Sequence, residues 1–108
     1  MATIGILGAG AWGTALAAHA ARNEQDVALW SREEHVVNDI VGLRENRGYL
    51  PSVRLPPLRA STDLAAVVDA AELLIFATPA QFLREVATQV RPHLREHTTI
   101  AIASKGME

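Results

Sequence analysis

Short apolar runs alternate along the chain with stretches that are apolar on one side only. Residues 3–7 (TIGIL), 26–30 (DVALW), 72–78 (ELLIFAT) and 98–104 (TTIAIAS) are β-rich runs closed by Gly8, Ser31, Pro79 and Lys105-Gly106, the form of strands buried in a sheet. Between the first two, Thr14 to about Arg22 reads as a helix with Asn23 as a left-handed cap. Ser31-Arg32-Glu33-Glu34 matches the S-x-x-E capping box and opens a helix carrying Val36, Val37, Ile40 and Val41 on one stripe. Residues 44–59 lose any period and hold Gly48, Pro51, Pro56 and Pro57, so they read as a long loop of the kind that often carries function. Thr62 is placed to cap a short helix with Leu64, Val67, Val68 and Ala71 on its buried face. A further helix presents Leu83, Val86, Ala87 and Val90 until Pro92 ends or kinks it.

The pattern therefore predicts about four strands alternating with helices, with TIGIL, LLIFAT and TIAIA covered on both sides. That is a parallel sheet in a Rossmann-type α/β domain with helices on both faces. The 108 residues suffice for one domain, and no linker, internal repeat or low-complexity segment divides them. Hydrophobic residues at 49% and charged residues at 20% fit a globular domain. A net charge of −2 without a Lys/Arg cluster gives no footprint for nucleic acid or an acidic membrane. With no cysteine, thiolate metal sites are excluded and a reducing compartment is compatible. No signal-peptide pattern and no apolar run of about 18 residues is present, which makes the cytoplasm the expected location.

The chemistry is concentrated in GILGAGAWGTALA, residues 5–17. Gly8, Gly10 and Gly13 complete G-x-G-x-x-G directly after a strand and before a helix, the context in which this motif binds dinucleotides. Gly8 is expected to allow the turn, Gly10 to let the backbone approach a diphosphate, and Gly13 to let the helix pack on the sheet. The helix start would supply amides and a partial positive charge to the anion. Two roles are open to Trp12, a packing residue or a wall of the cofactor site.

NAD-selective domains usually carry an acid at the end of the second strand, where this chain has Trp30-Ser31-Arg32. Arg32 and the Ser31 hydroxyl could accept a 2′-phosphate, so NADP is permitted beside NAD. Glu33 works against the phosphate, and Ser31 to Glu34 also serve as a helix cap. Lys105, just past the last strand, lies where open α/β sheets bind ligands, although an isolated lysine is more often solvated. His19, His35, His93 and His97 show no metal spacing, and no metal site is expected.

Beyond these glycines, the chain resembles the NAD(P)-dependent glycerol-3-phosphate dehydrogenases, particularly the bacterial enzymes of phospholipid precursor synthesis. The likeness runs along the whole chain through GAGAWGTALA at 8–17, VALW with Arg32 at 27–32, NRGYLP at 46–51, LPP at 55–57, ATPAQF at 77–82 and SKGME at 104–108. The resemblance implies a cofactor domain of an enzyme that reversibly reduces dihydroxyacetone phosphate to sn-glycerol 3-phosphate. It implies that Gly8, Gly10 and Gly13 are phosphate glycines and that Ala11 and Trp12 contact the cofactor at the helix start. It also sets Arg32 at the adenosine ribose, Tyr49 and Phe82 near the cofactor, and Lys105 against both cofactor and substrate. Ala11 is commonly serine in the family, so one hydroxyl is lost here.

The family also carries a helical C-terminal domain with a further catalytic lysine, and nothing in these residues corresponds to it. The expectation is an excised cofactor domain, residues 1–108, that binds nucleotide weakly, turns nothing over and self-associates as a homo-oligomer. Two other readings compete: a cofactor domain of a β-hydroxyacid-type dehydrogenase, against which the motifs around Tyr49 and Lys105 argue, and a nucleotide-binding module without chemistry.

Overall fold

The structure, a computed structural model, describes residues 3–103. Five strands form one parallel sheet: β1 (Thr3–Leu7), β2 (Asp26–Trp30), β3 (Arg59–Ser61), β4 (Leu73–Phe76) and β5 (Thr99–Ile102). Their spatial order is β3-β2-β1-β4-β5. Four helices connect them, α1 (Ala11–Arg22), α2 (Glu34–Leu43), α3 (Leu64–Ala70) and α4 (Ala80–Val90), and a 3-10 turn (Arg91–His93) follows α4.

Alternation along each strand divides the core in two. Ile4, Ile6, Val27 and Leu29 face α1 and α2, packing with Ala17, Ala18, Val36 and Ile40. Leu7, Ala28, Trp30, Leu74 and Phe76 point the other way and meet Val67, Val68 and Ala71 near α3 and Val86 and Val90 of α4. Gly5 lies on this second face, where an added Cβ would stand 3.1 Å from the Ala71 methyl, so α3 rides close on the sheet. Helices thus cover both faces, as the apolar runs predict.

The departures from the sequence reading are local. The sheet has a fifth strand, because residues 59–61 at the end of the long loop pair with Ala28, Leu29 and Trp30. Helix α1 begins at Ala11 rather than Thr14, with Gly10 as its cap. After it, Glu24 with φ 63 takes the left-handed conformation, while Asn23 at φ −96 does not. The Ser31 capping box does not form: Ser31 Oγ accepts from the Glu33 amide, two residues on, and makes a turn ahead of α2. On α2, Val36 and Ile40 are buried while Val41 is exposed, and on α4 Ala87 is exposed beside buried Val86 and Val90. Asp63, not Thr62, caps α3 by accepting from the Ala66 amide. The long loop is less irregular than its composition suggests, for Leu55 and Asn46 are fully buried and residues 46 and 50 form a bridge.

The largest departure concerns β5. All four of its residues are exposed, including Ile100 and Ile102, so the expected two-sided cover of TIAIA is not present. Among the described residues no helix is long and apolar enough to cross a membrane, and no group of three His, Cys, Asp or Glu could hold a metal ion.

Candidate dinucleotide site

The chain leaves β1 toward α1 on one face and leaves β4 toward α4 on the other. The crevice between these exits, at the carboxyl ends of the strands, is where open α/β sheets bind ligands. A cavity of about 390 Å³ occupies that place. Gly8, Gly10, Ala11, Trp12, Gly13, Arg32, Tyr49 and Phe82 all line it, so the eight described residues singled out in the sequence meet at one site. Lys105 lies outside the described residues.

Each glycine of the turn has its own steric reason. Gly8 has φ +125, and an added Cβ would approach the Ala77 carbonyl oxygen to 2.7 Å, so the residue satisfies both the backbone and the neighbouring strand exit. At Gly13 a Cβ would overlap the Gly8 carbonyl oxygen; only a bare Cα lets α1 start this close to the turn. Gly10 is the opposite case, since nothing stands within 4 Å of where its Cβ would be. Gly10 itself lines the cavity, beside the first turn of α1, whose amides have no carbonyl ahead of them in the helix. A cradle open at Gly10 and locked at Gly8 and Gly13 suits a diphosphate.

The floor is tied together by backbone. The Gly8 amide donates to the Trp30 carbonyl at 2.9 Å, the Ala77 amide to the Leu7 carbonyl at 2.9 Å, and buried Thr78 donates its hydroxyl to the same carbonyl at 2.8 Å. Trp12 is 45% exposed and donates its indole N–H to the Ala103 carbonyl at 2.6 Å, fixing its ring at the cavity wall rather than beneath the domain.

At the other end, past β2, Arg32 extends across the crevice toward α4. Its guanidinium lies 5.5 Å from the centre of the Phe82 ring and 3.2 Å from the Glu85 carboxylate. Glu33 points elsewhere and accepts the Tyr49 hydroxyl at 2.6 Å, with the His35 imidazole at 3.7 Å. That bond, then burial, then the carboxylate's charge hold the Tyr49 phenol above its ordinary pKa. The long loop thereby closes one side of the site.

Asn46 organises this loop and escaped the sequence reading. Fully buried, it donates to the Ala9 carbonyl and the Thr14 hydroxyl, both at 2.8 Å, and accepts from the Tyr49 amide at 3.3 Å. Arg47 beside it makes a two-pronged bond to Asp39 of α2 at 2.9 and 3.1 Å, which lowers the Asp39 pKa. Thr78 and Glu85 were likewise not singled out. Both sit in or next to ATPAQF, but nothing in residue type separates them from neighbouring surface polar residues.

Comparison with known proteins agrees with this geometry. The family model of the NAD-dependent glycerol-3-phosphate dehydrogenase N-terminus matches residues 3–108. The NAD(P)+ glycerol-3-phosphate dehydrogenase of Paramagnetospirillum magneticum is 47% identical over 109 aligned positions, covering 100% of this chain and 39% of that protein. Among solved structures, glycerol-3-phosphate dehydrogenase from Coxiella burnetii superposes with a TM-score of 0.90 at 38% identity, over 96% of this chain and 32% of that one. The Saccharomyces cerevisiae enzyme gives 0.89 at 30% identity, over 98% of this chain and 34% of that one. The chain thus spans about a third of the length of the relatives it matches. By sequence and by fold, it belongs to the family of NAD-dependent glycerol-3-phosphate dehydrogenase N-terminal domains.

Proposed function

We propose that the crevice binds a nicotinamide dinucleotide, NAD or NADP, and that the reaction served is the interconversion of dihydroxyacetone phosphate and sn-glycerol 3-phosphate. The observation that carries the reading is the lip at Gly10. An open Cβ position on a residue that lines the cavity, between two glycines that sterics hold fixed, fits a main chain shaped around an anion.

In this reading the glycine turn and the first turn of α1 hold the diphosphate through amides and the helix dipole. Trp12 walls the site on one side, and Tyr49 and Phe82 supply apolar surface on others. Arg32 is the cation at the adenosine end, where it meets either ribose hydroxyls or a 2′-phosphate. Lys105, on the strength of the SKGME motif, is assigned to the meeting of cofactor and substrate oxygen. When bound, the nicotinamide ring gives or takes a hydride; the chain's own part is to position it and exclude water. The family setting comes with this reading: supply of a phospholipid precursor in the cytoplasm, by an enzyme that associates with its own copies.

Relatives are about three times as long, and this reading assigns further substrate contacts to a second domain. For these 108 residues the expected outcome is therefore binding without turnover. Calorimetric titration with NADH and with NADPH should each give one site per chain. An assay with dihydroxyacetone phosphate should give no steady-state oxidation of either. Absence of binding by both nucleotides would refute the cofactor reading, and turnover at ordinary enzyme rates would refute the division of labour.

A further inference from the structure

The cation at the adenosine end is already engaged. Arg32 donates to the Glu85 carboxylate at 3.2 Å, and its guanidinium lies over the Phe82 ring. Phe82 and Glu85 stand three residues apart on α4, hence on one side of it. The helix thus holds Arg32 by an aromatic face and a charge together. The other acid near this point, Glu33, is directed at the Tyr49 hydroxyl and His35 instead. Among the described residues, Glu85 is therefore the carboxylate that sets how available Arg32 is.

We infer that Glu85 is a cofactor-specificity residue, which biases the site against a phosphorylated 2′-position by occupying Arg32. The inference rests on the proposed binding of a dinucleotide with its adenosine end near Arg32. A 2′-phosphate needs the guanidinium and must either displace Glu85 or share Arg32 with it, carrying two negative charges toward a third. A 2′-hydroxyl needs neither and leaves the pair intact. Glu85 acts through Arg32 and touches no cofactor atom in this account, so it is a positioning residue. Both partners are about half exposed, so the effect is that of a solvated pair rather than a buried one.

The test is calorimetric titration of NADH and NADPH, at low ionic strength, into the wild-type chain, Glu85→Gln, Arg32→Ala and the double variant. Glu85→Gln keeps the length and hydrogen-bonding capacity of the side chain and removes its charge. It should tighten NADPH by about threefold to tenfold while leaving NADH within about twofold. In the Arg32→Ala background the same substitution should change the NADPH-to-NADH ratio by less than about twofold, because the group it acts through is gone. A ratio unchanged in Glu85→Gln, or both nucleotides tightening equally, overturns the role of Glu85 while leaving the cofactor reading standing. So does a gain that persists in full without Arg32. Failure of the wild-type chain to bind either nucleotide removes the cofactor reading itself, and this inference with it.

Discussion

Gly10 and Gly13 stand one helical turn apart and have opposite surroundings, open space at one and backbone at the other. Gly10→Ala adds a methyl to open space at a φ of −73, which any residue adopts. It should shift stability by no more than about 0.5 kcal/mol, while weakening NADH by roughly tenfold or more if the diphosphate occupies that space. Gly13→Ala must move backbone, since its methyl would overlap the Gly8 carbonyl; a loss of about 2–4 kcal/mol in urea unfolding is expected. Equal effects of the two on stability would show that the turn is not built this way. Tyr49 offers a second check, because it is the single tyrosine in the sequence and its ultraviolet titration reads one group. The bond to Glu33 favours the neutral phenol, so the folded pKa is raised. The stabilisation is complete below the unfolded value of about 10 and is lost as pH rises through the higher folded value. The titration midpoint should lie above that of the urea-unfolded chain, and Glu33→Ala should bring it down. A midpoint that ignores the substitution would mean that the phenol and carboxylate do not meet in solution.

The loop of residues 44–58 is an element in its own right, anchored by Leu55 in one core and by Asn46 under the glycine turn. Asn46→Ala strands the buried Ala9 carbonyl and Thr14 hydroxyl with only their mutual contact at 3.3 Å. A loss of about 2–4 kcal/mol in urea unfolding is expected. Asn46→Asp keeps the shape but faces one oxygen with another, and a buried carboxyl there should have a raised pKa. That variant gains stability as pH falls and loses it as pH rises through the raised value; a pH-independent deficit would place Asn46 elsewhere than in this network. How much was legible follows from the kind of constraint involved. The glycines announce themselves because their steric demand is a property of residue type, and both cores follow from period-two and helical spacing. Asn46 does not, since an asparagine among glycines and prolines looks the same whether solvated or buried. Arg59–Ser61 is too short and too exposed to show strand alternation. The choice between Thr62 and Asp63 as cap depends on one peptide's dihedrals, which composition cannot fix. The apolar character of residues 99–102 was visible, but apolarity says nothing of what covers it.

Taken whole, the molecule is a sheet finished unequally at its two margins. At β3 the edge is three residues long and flanked by the Arg59–Asp26 ion pair at 2.9 Å, which discourages further pairing. At β5 it is longer and carries Ile100 and Ile102 at 47% and 61% exposure. The crevice lies between β1 and β4, away from both margins, where strand exits are held on each side by neighbours and the catalytic geometry of such folds is most easily kept rigid. A bond from Trp12 to the carbonyl following β5 nevertheless links it to the outer strand. Trp30, the other indole, is buried at 6% exposure and bonded to the Thr62 carbonyl. The two indoles are thereby optical reporters of different colour: a bluer one, Trp30, screened from water until the protein comes apart, and a redder one, Trp12, at the rim; both line the crevice, so the light of both should dim on its occupancy while their colours hold as long as the protein stays whole.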